Sequence, residues 1–99
     1  MNTRTRKTKG KQFQNTIRDL LLESFPQLNL DDIKSTTMGD HGEDLQLSEK
    51  ARKLLPFSTE CKRQETLSYW QWMEQCEKEA IKHNTMPLLI FKRNKSDIY

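Results

Sequence analysis

Glu60 and Lys62 stand two residues apart in the stretch FSTECKRQ, residues 57–64. Phe57, Thr59 and Cys61 alternate there with Ser58, Glu60 and Lys62, which reads as a strand. Strand side chains repeat with period two, so Glu60 and Lys62 share one face, about 6–7 Å apart along it. Asp44 opens an earlier strand-like segment, DLQL. Leu45 and Leu47 should face the core there, and Asp44 and Gln46 the opposite side. If the two strands pair, Asp44 and Glu60 converge on one divalent cation, and the Cys61 carbonyl supplies a further oxygen. Mg²⁺ (or Mn²⁺) suits such a set, because Mg²⁺ takes one or two carboxylates and completes its octahedron with water and phosphate. The chemistry would be phosphodiester hydrolysis, in which the cation polarises the phosphate and acidifies a water. Lys62 would orient that water or neutralise charge developing on the phosphate. An acid and a lysine two apart are more often an ordinary surface ion pair. The nearby Asp44 strand gives this triplet its weight.

The elements that must position these residues follow from the pattern. Phe13, Ile17, Leu20, Leu21 and Ser24 fall on one helical stripe that Pro26 ends, so a helix is expected from Gln12 to Ser24 or Phe25. Ile33 to Met38 is a short strand candidate, followed by a polar loop with Asp40 and His41 between Gly39 and Gly42. Residues 48–56 form either one helical turn capped by Ser48 or a structured loop. A second long helix spans roughly Thr66 to His83, with Ser68-x-x-Gln71 as a capping box and Asn84 as a left-handed cap. Its apolar face is read as Tyr69, Trp70, Met73, Cys76 and Ala80. Trp70 is expected in the core, whereas Trp72 either packs or stacks on a base. After Pro87, LLIF reads as a buried strand, Lys92, Arg93 and Lys95 as a basic turn, and Ile98-Tyr99 as the start of another strand. The order predicts an α/β (α+β) domain, a small mixed sheet flanked by two main helices.

The chain has 99 residues, 31% charged and 33% hydrophobic, which allows one small domain with a modest core. The formal charge is +3 and the pI about 9.0. Residues 1–11 carry Arg4, Arg6, Lys7, Lys9 and Lys11 and no acid. They are expected to be a flexible basic arm ahead of a domain over 12–99, either a solvated tail or an arm laid on a phosphate backbone. Lys9 and Lys11, with Arg52, Lys53 and Arg63, are the candidate DNA contacts. Cys61 and Cys76 have neither CxxC nor Cys/His spacing, which argues against a disulfide framework or zinc site and fits a reducing cytoplasm. No apolar run approaches the length of about 18 residues needed for a membrane span.

The array Asp44 … Glu60-Cys61-Lys62 resembles the PD-(D/E)xK nuclease motif. The wider run MGDHGEDLQLSEKARKLLPFSTECKRQE resembles small phage endonucleases related to Holliday-junction resolvases, in which a glycine-flanked GeD segment precedes LS…AR…P and then ECK. The likeness covers roughly residues 9–94. It implies a restriction-endonuclease-like core, with Asp44 and Glu60 as metal ligands and Lys62 as catalytic lysine. Members often carry an acid on the first helix shortly after a Lys-Gly pair; KGKQFQ offers Gln14 there, and Glu23 lies too far along to be assigned. A polar residue on the helix after the motif lysine faces the site in such nucleases, and Gln75 is the candidate. The resemblance further implies branched or recombining phage DNA as substrate and a two-fold homodimer. The alternative is a non-catalytic DNA-binding recombination accessory protein, in which Glu60 and Lys62 form a structural ion pair.

Overall fold

The computed structural model describes residues 3–36 and 43–99. Asp40, His41 and the far end of the strand expected over Ile33–Met38 lie outside the described residues. Helix α1 spans Thr3–Ser24, so it begins well before the expected Gln12. Lys, Arg and Gln are good helix formers, and a basic run can extend a helix that its apolar stripe has nucleated. That stripe is Phe13 and Ile17, buried against the core, with Leu21 and Leu22 packed on its rim.

Strands β1 (Ile33–Ser35) and β2 (Leu45–Leu47) pair antiparallel, Ile33 opposite Leu47 and Ser35 opposite Leu45. Of the two readings of residues 48–56, the helix holds: α2 spans Glu49–Leu54. Ser48 caps it, its hydroxyl accepting from the Ala51 amide at 3.0 Å and donating to Asp32 Oδ1 at 2.7 Å. The Asn29 amide and then the Ser48 hydroxyl hold the Asp32 carboxyl below the usual carboxylate range.

Strand β3 (Phe57–Arg63), helix α3 (Tyr69–His83) and strand β4 (Met86–Lys92) form a βαβ unit. The two strands pair in parallel with Phe57 opposite Met86 and Arg63 opposite Lys92. Parallel neighbours need such a crossover, and α3 supplies it. Asn84 closes α3 in the left-handed conformation, φ 52°, its amide reaching the carbonyls of Ala80 and Ile81. Ser68 precedes α3, but its side chain makes no capping hydrogen bond, so the expected capping box does not form. One face of β3 puts Phe57 and Cys61 into the core beside Phe13, Ile17, Ile33 and Leu45. The other face meets α3, where the Cys76 thiol donates to the Ser58 carbonyl at 3.3 Å.

The strands make two two-stranded sheets instead of one mixed sheet. Among the described residues the main-chain link between them is the hydrogen bond from the Asp44 amide to the Thr59 carbonyl at 3.1 Å. The next donor along, the Cys61 amide, turns to the Asp44 side chain. The ladder therefore stops where the carboxylate takes over. At the outer edge of β4, Phe91 and Tyr99 exchange both main-chain hydrogen bonds, each 2.9 Å, and their rings stack.

Trp70 is not in the core as expected, and of the two readings of Trp72 the packed one holds. Trp72 is 5% exposed and lies against Phe91, whereas Trp70 is 83% exposed. The buried stripe of α3 is Trp72, Cys76 and Ala80. A step of two residues turns a helix by about 200°, so Trp70 cannot share that stripe. Among the described residues no helix is long and apolar enough to cross a membrane.

Candidate active site

Glu60 and Lys62 lie side by side, Nζ to Oε1 at 3.1 Å, as period two on β3 requires. Asp44 reaches the same place from the start of β2, its Oδ2 accepting from the Cys61 amide at 2.6 Å. The Thr59 carbonyl and Cys61 amide both point to the edge of β3 that Asp44 occupies. The N–H and C=O of one strand residue share an edge, so the Cys61 carbonyl points there too.

The electrostatics of this corner are those of crowded acids. Burial first, then the charge of Glu60, pushes the Asp44 carboxyl up to about 6, against the opposing pull of the Cys61 amide and Lys62. The Cys61 thiol is pushed up as well, by burial and then by Asp44 and Glu60. Burial likewise raises Cys76. Both cysteines are free and buried, so neither is placed to act as a nucleophile.

A groove of about 440 Å³ opens beside Lys62 along α3. Gln71, Trp72, Gln75 and Lys78 line it, which brings Gln75 to the same groove as Lys62. Gln71, Gln75 and Lys78 follow i, i+4, i+7 spacing, a signal present in the sequence but not used for Gln71 and Lys78. Gln14 is buried on α1, where its Oε1 accepts from the Ser35 hydroxyl at 2.9 Å. Ser35 is the register partner of Leu45, the residue after Asp44.

The basic residues divide into two kinds. Lys11 Nζ donates to the carbonyls of Ser35 and Thr36 at 3.1 and 3.0 Å, tying α1 to the end of β1. Arg52 is engaged by Glu43 and the Phe57 carbonyl. Arg63 reaches Asn94 Oδ1 at 3.1 Å, and among the described residues its buried Nε meets no partner. Lys53 is exposed on α2, and Lys9 lies half-buried on α1. The sequence reading missed Glu43, a buried acid directly before Asp44. Its signal, a second acid beside a candidate ligand, was faint, because its partners come from α2 and α3.

The donor set suits a hard divalent cation. Among the described residues no group of three or more His, Cys, Asp or Glu side chains gathers as a ligand set. Two carboxylates with a main-chain oxygen are what Mg²⁺ accepts, whereas a structural zinc site wants four nitrogen or sulfur ligands. Asp44 and Glu60 repel each other in a partly buried place, and a cation between them would relieve that repulsion.

No curated protein and no solved structure matches the chain. A family model does, over residues 5–99, and it contains the Asp44 segment, the Glu60-Cys61-Lys62 strand and α3. The chain belongs to the family described as "Phage putative PDDEXK endonuclease".

Proposed function

We propose that the chain is a Mg²⁺-dependent (or Mn²⁺-dependent) endodeoxyribonuclease. The observation that carries this reading is the docking of Asp44 on the Cys61 amide, within reach of the Glu60 charge and beside Lys62. Asp44 and Glu60 would hold the ion, with the Cys61 carbonyl on the same edge. When bound, the ion supplies Lewis-acid polarisation of the scissile phosphate and a more acidic water. Lys62 is fixed by Glu60 and presents its ammonium to the phosphate oxygens, where negative charge grows as the bond to water forms. Gln75, in the groove with Lys62, has an amide able to hold the strand or the attacking water. Lys9, Lys53 and Arg63 would add phosphate contacts whose strength falls with salt.

The substrate in this proposal is branched or recombining phage DNA, such as a Holliday junction, in the host cytoplasm. The support is the likeness of the run from Met38 to Glu65 to resolvase-related phage endonucleases. Paired incisions call for two sites, hence a two-fold homodimer.

The test is cleavage of linear duplex and four-way DNA with Mg²⁺, with Mn²⁺ and with EDTA, alongside sedimentation of the free protein. Metal-dependent cleavage of the four-way substrate by a dimer is expected. Absence of cleavage on every DNA, with tight binding retained, would overturn the catalytic reading. That result would favour a DNA-binding accessory protein, for which the Glu60–Lys62 ion pair is a ready structural explanation.

A further inference from the structure

We propose that Arg52 and Glu43 form a positioning clamp that holds the Asp44 carboxylate against β3. The consequence for metal binding rests on the nuclease reading; the clamp itself does not.

Glu43 directly precedes Asp44, and its side chain is only 5% exposed. Arg52 grips it with both arms of the guanidinium, Nη1 to Oε2 at 3.0 Å and Nη2 to Oε1 at 2.8 Å. The same Nη1 donates to the carbonyl of Phe57, the first residue of β3, at 2.8 Å. One guanidinium thus joins the segment that carries Asp44 to the strand that carries Glu60, Cys61 and Lys62. His83, at the end of α3, brings Nε2 within 3.3 Å of Glu43 Oε1 and adds a third element. On the other side of the segment, the Thr36 hydroxyl donates to the Glu43 carbonyl and the Thr36 amide to the Asp44 carbonyl. With Glu43 held at its side chain and both carbonyls held by Thr36, the Asp44 side chain has little freedom except to meet the Cys61 amide.

These contacts give Arg52 a structural role in place of the free phosphate contact that the sequence suggested. Its fork is already filled by a buried carboxylate and a main-chain carbonyl. Lysine does not reproduce the fork: its ammonium is a single point charge, without the planar pair of arms. Removing Arg52 takes the guanidinium away from a carboxylate that is only 5% exposed and leaves it, among the described residues, His83 alone, whereas Asp19 of the Arg18–Asp19 pair is 63% exposed and pairs in water.

The test uses Arg52→Lys and Glu43→Gln, each singly and together, with Leu28→Val as a destabilised control at a core residue that is not part of the clamp. Hydrogen exchange at the Asp44 and Cys61 amides is measured in EDTA, and free Mn²⁺ is counted by electron paramagnetic resonance during titration. Each single variant should speed exchange at both amides well beyond the Leu28→Val control. Each should also weaken Mn²⁺ binding by about tenfold or more, as loss of an outer-shell support typically does. The double variant should add little to either single one, because the pair acts as a unit. Exchange at the two amides no faster than in the control overturns the clamp, as does wild-type Mn²⁺ affinity in both single variants. Faster exchange in a protein whose wild type binds no Mn²⁺ supports the clamp and sinks the nuclease reading instead.

Discussion

The Cys61 amide and the Asp44 carboxylate meet at 2.6 Å, one step along β3 from the Asp44–Thr59 main-chain hydrogen bond, and no β2–β3 ladder forms beyond it among the described residues. A main-chain ladder would have given the Cys61 amide a carbonyl partner and carried the sheet onward. Here the side chain of Asp44 takes the amide, and an acid is drawn into a half-buried corner beside Glu60. Local pairing is given up at the point where the chemistry is proposed to occur.

The metal-free protein should therefore lose stability from Asp44 as pH rises. The Asp44 carboxyl titrates near 6 when folded, above its ordinary 3.8, so the folded protein holds this proton more tightly than the unfolded chain. That contribution is complete below pH 3.8 and is lost as pH passes through about 6. A shift of roughly two units corresponds to about 3 kcal/mol, a sizeable share of the stability of a small domain. Urea midpoints of wild type and Asp44→Asn, measured in EDTA at pH 4.5 and pH 8, isolate the effect from other acids. Asn keeps an oxygen for the Cys61 amide and carries no charge. The variant should gain on the wild type between the two pH values; a constant difference would show that Asp44 is not strained by its surroundings.

Lys62→Ala should separate chemistry from binding. Lys62 is held by Glu60 at 3.1 Å and also lines the groove along α3, so its charge is fixed where a phosphate would lie. Loss of one such preorganised donor typically costs on the order of 100- to 1,000-fold in rate. A single phosphate contact among several carries a much smaller share of affinity, so binding to four-way DNA in Ca²⁺ should weaken by less than about tenfold. Equal losses of cleavage and binding would make Lys62 an ordinary DNA contact.

Much of this site was legible in the sequence because strand periodicity is a local rule. Glu60 and Lys62 had to share a face once residues 57–63 were extended, and Leu45 had to turn Asp44 away from the core. The phase of α3 was less legible: Tyr69, Trp70 and Trp72 are all large and apolar at the start of one helix, and tertiary contact with Phe91 selects Trp72. The roles of Arg52 and Lys11 were not legible at all. A basic residue looks the same in sequence whether it meets solvent, a phosphate, or the carbonyls of Ser35 and Thr36 some 24 residues away. The early start of α1 at Thr3 shows the converse, since polarity argued for an arm while helix propensity allowed a helix.

The two tryptophans give a reporter for DNA that needs no added label. Trp70 is 83% exposed and stands edge-on to Tyr69, whereas Trp72 is buried. In the free protein acrylamide should quench one tryptophan readily and the other poorly, and Trp70→Phe should remove the readily quenched fraction. Aromatic side chains on an open helix start are natural platforms for unpaired bases, each stack contributing about 1–3 kcal/mol. DNA with unpaired nucleotides at a branch should then shield Trp70 from acrylamide more than linear duplex does. Trp70→Ala should weaken binding to the branched DNA by roughly five- to a hundredfold on the same scale, with Trp70→Phe recovering most of it. Quenching unchanged by either DNA, together with wild-type affinity in Trp70→Ala, would remove this face of α3 from the DNA-binding surface and leave substrate contact to the groove beside Lys62.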